Sequence, residues 1–507
     1  MRKWVKKSTA ASRAWLGVAL VGLLVVALVV ALSLVSRLGS GQQVIDAAEP
    51  AFTDERVMGT RAGVDLLSDY VDLVDPLLTA RGGGNTEVRS LVRLIGRELG
   101  LSSAQARKIL RREAPHTEAL TRALPLSGLA DEIPRLTNYL ATTLNTNEDE
   151  LAAILEQRFP RIATLLTTLP NVTDAWYDVP GIEGLTRLSG DKPVRTIPGL
   201  RKYLRDDLVA LSVERKDEFQ SLASRGGIGY IPYLLLAIGV GLFAYGILQS
   251  RRAAVTAPGR LSWGIVVVVG VFLVALVVAG QFFGRLSAGQ KLVTDMQPVF
   301  AQERVRGLTT GYDTVHETIE LGDPIMTTRG GAVRETPRLY RFIADRTGRR
   351  AGDVRRTLSR RVPRTIALLD ALPLATVGNE APKLVAYLAK AFRISRTRLV
   401  SRLRRRAPGL ARALLAAPVV TDGWNAVPGT GEMTRFDGVT PVRTLPAFDA
   451  YLSQDVLPVF AEEREHFEAL TGEPPLDTLA PVLLISGLFV MLYGGTMMVL
   501  VARPRRR

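Results

Sequence analysis

Residues Thr173–Pro198 read "TDAWYDVPGIEGLTRLSGDKPVRTIP", and residues Thr421–Pro446 read "TDGWNAVPGTGEMTRFDGVTPVRTLP". The two copies share a Thr-Asp pair, a tryptophan, a Val-Pro-Gly run, a Thr-Arg pair and a closing Pro-Val-Arg-Thr, all at the same spacing. Chance does not repeat so many residue types in one register. The stretch therefore indicates that a larger piece of the chain is present twice.

The repeat covers each half of the chain. Trp15 and Trp263 both open an apolar stretch, and 263 − 15 = 248. The same separation relates further pairs without a gap, among them Asp75 with Asp323, Pro115 with Pro363, Tyr139 with Tyr387 and Tyr245 with Tyr493. We therefore predict a tandem duplication of a span–ectodomain–span unit. Because both copies have the same topology, pseudo-two-fold symmetry about the membrane normal should relate them.

Four apolar stretches are long enough to cross a bilayer. They are residues 14–35, 231–249, 262–283 and 479–502. The first is longer than the apolar core of a signal peptide, and no clear small-x-small cleavage site follows it, so we expect it to be retained. The four stretches lack Asp, Glu, Lys, Arg and His but carry small residues four apart. This favours a helix-packing anchor over a stand-alone ion-coupled transporter.

The short segments that flank these stretches are basic. Residues 1–13, 250–261 and 503–507 carry Lys and Arg and lie on one side of the membrane in a four-span arrangement. The positive-inside rule makes that side cytoplasmic and places residues 36–230 and 284–478 outside. We predict a multi-pass plasma-membrane protein of a bacterial-type cell envelope with both termini cytoplasmic.

A shorter repeat lies inside each ectodomain. Its copies are Ala106–Pro125, Leu151–Pro170, Val354–Pro373 and Leu399–Pro418. Apolar residues at helical spacing, interrupted by proline, predict short helix–turn–helix pairs. After the first and third spans the polar helical pattern continues, so each membrane helix should extend outward as a stalk. The expected fold is an all-α integral membrane protein with two homologous, mainly helical ectodomains, and the Gly- and Pro-rich doubled stretch suggests a small β-hairpin in each.

Charge distinguishes the two halves. The net charge is +16, and residues 333–420 contain 21 Lys and Arg against 5 Asp and Glu, whereas residues 85–172 contain 11 against 10. Arginine binds phosphate and carboxylate through a planar fork of donors, so the basic half is a candidate surface for anionic lipid or an acidic envelope polymer. The candidate residues are Arg355, Arg356, Arg360, Arg361, Arg398, Arg402 and Arg405. The alternative is a solvated arginine-rich face that reflects composition alone.

The doubled stretch supplies a second candidate set. It consists of Asp174, Trp176, Arg187 and Arg195 with their counterparts Asp422, Trp424, Arg435 and Arg443. An aromatic face beside arginines suits an anionic or sugar-like ligand. A buried tryptophan with each arginine paired to a carboxylate or a carbonyl explains the same pattern, and this structural alternative is favoured.

Several functional classes find no support in the sequence. The chain has no cysteine and only three widely spaced histidines, which excludes thiolate chemistry and local metal-ligand spacings. Nucleophile, zinc-protease, phosphate-loop and dinucleotide motifs are missing, so we predict no enzyme and no cofactor. Residues 95–113 resemble a DNA-binding helix-turn-helix, but the pattern is short and belongs to the internal repeat, so nucleic acid is not an expected partner.

Two hypotheses remain. The first is a non-enzymatic cell-envelope scaffold or interaction protein whose basic ectodomain binds anionic lipid or polymer, with a protein partner and with self-association as an option. The second is an accessory subunit of a lipid or polymer export system that is energised by a partner in trans. A buried surface between the halves favours the scaffold, and a continuous apolar groove favours export.

Overall fold

The structure is a computed structural model that describes residues 2–190, 192–223, 229–253, 260–279, 281–473 and 475–502. Most of the predicted cytoplasmic loop, the C-terminal tail and the side chains of residues 2–11 lie outside the described part. The protein is all-helical, with 81% helix and no strand among the described residues.

The first half of the chain forms α1 (Arg2–Ala31), α2 (Leu34–Ala48), α3 (Asp54–Leu78), α4 (Gly84–Leu99), α5 (Ser103–Glu113), α6 (Pro115–Ala123), α7 (Ser127–Ala130), α8 (Ile133–Leu144), α9 (Glu148–Arg158), α10 (Pro160–Ala175), α11 (Ile197–Lys202), α12 (Ala210–Ala223) and α13 (Ile231–Ala253). The second half forms α14 (Arg260–Ala279), α15 (Phe282–Met296), α16 (Gln302–Met326), α17 (Ala332–Thr347), α18 (Ala351–Arg361), α19 (Pro363–Ala371), α20 (Leu374–Ala391), α21 (Arg396–Arg406), α22 (Pro408–Trp424), α23 (Leu445–Tyr451), α24 (Leu457–Glu462), α25 (Arg464–Leu470) and α26 (Leu479–Ala502). Short 3₁₀ segments occupy Glu49–Phe52 and Leu476–Thr478, and π-helical segments occupy Tyr203–Val209 and Leu452–Val456.

The first compact unit, here called the membrane unit, comprises Met1–Thr53, Glu214–Gln302 and Val459–Arg507. It contains four helices that are long and apolar enough to cross a membrane. These are Ser12–Ala31, Ile231–Ala253, Arg260–Ala279 and Leu476–Val501. Helix α1 packs along α13, and α14 packs along α26. The Trp15 and Trp263 rings stack with centroids 3.8 Å apart, and the Tyr493 hydroxyl donates to the Ala14 carbonyl at 2.8 Å. These contacts join the two helix pairs.

The predicted stalks are separate helices rather than smooth continuations of the spans. Helix α1 ends at Ala31 and α2 begins at Leu34, with Ser33 at a φ of 48°. In the second half α14 ends at Ala279 and α15 begins at Phe282, with Gln281 at a φ of 52°. A residue with positive φ interrupts the helical hydrogen-bond ladder. Helices α1 and α14 therefore end about four residues before the apolar stretches do.

The second compact unit, here called the helical unit, comprises Asp54–Val213 and Glu303–Pro458. The segments that the sequence presents as two ectodomains share one hydrophobic core in the structure. Helix α3 of the first segment packs along α22 of the second, and α6 packs along α19. Each segment thus buries its apolar helix faces against the other segment.

The doubled stretch forms a tight turn but no strand. Thr186 pairs with Pro193, and Thr434 pairs with Pro441, each as an isolated antiparallel bridge. Two backbone hydrogen bonds flank each bridge. In the first copy Arg187 donates to Lys192 at 3.0 Å and Val194 to Leu185 at 2.7 Å, and in the second Arg435 donates to Thr440 and Val442 to Met433, both at 2.8 Å. Each copy therefore contains one isolated bridge instead of the predicted β-hairpin. Asp191 in the first copy lies outside the described residues.

Candidate functional site

Four glutamates connect the two segments of the helical unit. Helices α6, α10, α19 and α22 all begin with proline, and the residues before those prolines are Ala114, Phe159, Val362 and Ala407. None of these side chains can accept a hydrogen bond, so each helix starts without a cap of its own. In every case the cap comes from a glutamate in the other segment.

The caps are reciprocal. Glu380 accepts from the backbone N–H groups of His116 and Thr117 at 3.1 and 2.8 Å, and Glu132 accepts from those of Arg364 and Thr365 at 3.2 and 3.0 Å. Glu335 serves α10 through Arg161 and Ile162 at 3.3 and 3.0 Å, and Glu87 serves α22 through Gly409 and Leu410 at 3.1 and 2.6 Å. The first three glutamates are buried. A carboxylate at a helix N-terminus satisfies unpaired N–H groups and favours the helix dipole.

One cap positions an arginine-rich cleft. Glu87 lies in α4 and binds the first turn of α22, which holds the C-terminal end of α4 beside the end of α21. Between these ends lies the α4–α21 cleft, with a volume of about 480 Å³. Its lining residues are Leu94, Arg97, Glu98, Arg402, Arg405 and Arg406.

The α4–α21 cleft is strongly positive. Four arginines face a single carboxylate, and Arg402 binds that carboxylate, Glu98, at 3.0 Å. Within the described part of the chain, no carboxylate forms an ion pair with Arg97, Arg405 or Arg406. These three side chains are exposed. A concave surface lined by charges of one sign concentrates ligands of the opposite charge.

The structure divides the seven sequence-predicted arginines between two places. Arg402 and Arg405 line the α4–α21 cleft, and Arg398 is exposed on the same helix. The other four lie on α18, which packs against α17, α19 and α8. There Arg355 binds Asp370 at 2.7 Å, Arg356 binds Asp353, Arg361 lies 4.8 Å from the Tyr139 ring centroid, and Arg360 is exposed.

Sequence reasoning missed half of the cleft's arginines. Arg406 adjoins a predicted residue but was not singled out, and Arg97 lies in the charge-balanced segment. Only the packing of α4 on α21 brings Arg97 to the basic helix. The sequence did contain one indication of this packing. Four helices begin with proline and have no capping side chain of their own, so each needs a hydrogen-bond acceptor from another part of the chain.

The second candidate set does not converge on a cleft. Trp176 and Trp424 are fully buried and donate through Nε1 to Asp75 at 3.0 Å and to Asp323 at 3.4 Å. The side chains of Asp174, Asp422, Arg195 and Arg443 are exposed.

Arg187 and Arg435 are anchors for the π-helical segments. Arg187 binds Asp207 through two nitrogens at 2.6 and 2.9 Å, and Arg435 binds Asp455 at 3.0 and 2.6 Å. The hydrogen bond to Asp207 raises the pKa of Arg187, although burial opposes this. Trp176, Trp424, Arg187 and Arg435 thus make contacts of the kind that the structural alternative describes, whereas Arg195 and Arg443 are exposed.

No protein-family profile, curated protein or solved structure matches the chain. The site is therefore interpreted from the chemistry of its own residues.

Proposed function

We propose that the protein is a non-enzymatic membrane scaffold or interaction protein of the cell envelope that binds anionic lipid headgroups or an acidic envelope polymer through the α4–α21 cleft. The observation that carries this proposal is the group of four arginines around one carboxylate. Guanidinium groups match phosphate and carboxylate oxygens in a bidentate manner. Three of the four have no carboxylate partner among the described residues, so they are available to an external anion.

The shared core of the two segments supports the scaffold over the export alternative. A scaffold requires a surface that keeps its shape, and interlocked segments with mutual helix caps provide one. We also propose that the two halves arose by tandem duplication and are related by pseudo-two-fold symmetry. The reciprocal caps support this origin, because Glu87 caps the helix that begins at Pro408 and Glu335, 248 positions after Glu87, caps the helix that begins at Pro160, 248 positions before Pro408. A protein partner and self-association belong to the same scaffold proposal.

The proposed topology places both termini in the cytoplasm and the helical unit outside the plasma membrane. The four apolar helices and the basic short flanks support this arrangement. It would place the α4–α21 cleft on the envelope side of the membrane.

The test uses the full chain in nanodiscs of neutral lipid. Binding is measured against vesicles with and without phosphatidylglycerol and against a soluble poly(glycerol phosphate) chain, over a salt series. In R405Q/R406Q, two contacts worth about 1 kcal/mol each are removed, so affinity should fall roughly thirtyfold and depend less on salt. Arg360→Gln, on α18, is the matched control and should bind as the wild type does. If R405Q/R406Q and the wild type bind with equal affinity, the α4–α21 cleft is not the binding site.

A further inference from the structure

A second arginine-rich cleft lies between α9 and α17. Glu335 in α17 caps the first turn of α10, which holds α17 beside the end of α9. The resulting α9–α17 cleft has a volume of about 640 Å³. Its lining residues are Gln157, Arg158, Phe159, Arg338, Arg341, Phe342 and Asp345. The sequence hypothesis singled out none of them.

An aromatic ring holds two guanidinium groups at this cleft. The guanidinium carbons of Arg158 and Arg346 lie 5.1 and 5.7 Å from the centroid of Phe342. The ring is itself fixed by the buried Phe159, whose centroid lies 5.7 Å away. A guanidinium stacked on a ring uses its face, while its N–H donors point outward in the plane. The two cation–ring contacts draw the guanidinium groups toward Phe342 without using their N–H donors.

The α9–α17 cleft carries an excess of positive charge, with three arginines and one carboxylate in its lining. Arg338 and Arg341 are exposed and lie three residues apart on one side of α17. Neither forms an ion pair with a carboxylate in the part of the chain that the structure describes. Asp345, four residues after Arg341, is the acidic residue in the lining. Arginines from two helices thus face one cavity.

We propose that the α9–α17 cleft is a second anion-binding site, which takes a phosphate monoester. A monoester carries close to two negative charges at neutral pH, and its three terminal oxygens match donors from several arginines better than a singly charged diester does. The cavity exceeds the size of a phosphate group, so the group that carries the phosphate also fits. The site is independent of the α4–α21 cleft and goes beyond the proposed function.

The experiment titrates glycerol 3-phosphate into the full chain in neutral nanodiscs, with glycerol as the phosphate-free control and calorimetry as the readout. A parallel arm uses R405Q/R406Q, which removes the lipid contacts proposed for the α4–α21 cleft. It compares vesicles that contain phosphatidic acid, which presents the same monoester on a lipid, with vesicles that contain the diester phosphatidylglycerol. Binding of glycerol 3-phosphate indicates a soluble ligand, and binding of phosphatidic acid alone indicates a lipid headgroup. Both results support the site. The proposal is overturned if glycerol 3-phosphate gives no more response than glycerol and phosphatidic acid vesicles bind no better than phosphatidylglycerol vesicles.

Variants locate the binding. Loss of two phosphate contacts in R338Q/R341Q should weaken the affinity for glycerol 3-phosphate by about tenfold or more, while R405Q/R406Q should bind glycerol 3-phosphate as wild type does. Asp345→Asn removes a repulsive charge and should tighten binding by about threefold, a gain that misfolding cannot produce. Unchanged affinity in R338Q/R341Q overturns the proposal. If only R405Q/R406Q loses binding, the monoester binds in the α4–α21 cleft. The α9–α17 proposal is then wrong, and the proposed function is unaffected.

Discussion

Glu380→Gln tests whether the two segments of the helical unit depend on each other. The Glu380 carboxylate is buried and accepts three hydrogen bonds from the first turn of α6, two from backbone N–H groups and one from the Thr117 hydroxyl at 2.8 Å. Glutamine has nearly the same shape, but only its carbonyl oxygen accepts. Its amide group would direct N–H donors toward backbone N–H donors, so the substitution removes the charge and leaves donors unpaired.

The expected cost follows from these contacts. A hydrogen bond to a charged group contributes about 1.5–3 kcal/mol, and a carboxylate at a helix N-terminus contributes about 0.3–2 kcal/mol. Because glutamine keeps part of the hydrogen bonding, we expect a loss of about 2–4 kcal/mol. Thr117→Val removes a single neutral donor and should cost about 1 kcal/mol.

The assay is thermal unfolding of the detergent-solubilised full chain, followed by circular dichroism. For a unit of this size, 1 kcal/mol corresponds to about 2 °C, so Glu380→Gln should lower the melting temperature by about 4–8 °C. Glu156→Gln, exposed on α9, is the matched control and should change stability by less than about 0.5 kcal/mol. If Glu380→Gln and Glu156→Gln have the same melting temperature, the glutamate caps do not couple the two segments, and the two segments are not interlocked in the way proposed.

Further predictions concern assembly, pH and packing. If the chain is divided between the second and third spans, the two halves should copurify when coexpressed. Either half alone should aggregate or pair with itself, because its apolar helix faces are left uncovered. A half that is soluble and monomeric by itself would contradict this. Burial lowers the pKa of His316, but the hydrogen bond to Asp449 at 2.5 Å and the charges of Asp449 and nearby acids raise it more, for a net increase. The stability that protonated His316 contributes is fully present below about pH 6.5, as long as Asp449 is ionised. It declines as pH rises through the folded-state pKa of His316, so His316→Gln should flatten the pH profile of chemical unfolding in that window. A Cβ on Gly63 would lie 2.4 Å from the Phe448 ring, so Gly63→Ala should cost about 1–3 kcal/mol in thermal unfolding, whereas Gly39→Ala, with open space around it, should not destabilise.

Local features of the fold were readable from residue type and spacing. The four apolar helices follow from runs of about twenty residues without charge, and their ends differ from the pattern where Ser33 and Gln281 interrupt the ladder. The helix–turn–helix pairs follow from apolar periodicity and from prolines such as Pro115, which stands at the first position of α6. The hairpin was less predictable, since a strand needs a partner ladder and the turn provides only one bridge.

The sequence by itself determined the helices, the spans and the chemistry of the arginines, because these depend on neighbours along the chain. Tertiary structure alone decided which helix covers which. An apolar face on α6 requires some partner, but several short helices of similar sequence could cover it, and in the structure α19 of the other segment does so. The same choice brings Arg97 to Arg402 and Arg158 to Arg338. Both clefts are built from residues far apart in sequence, so no local pattern could assemble them.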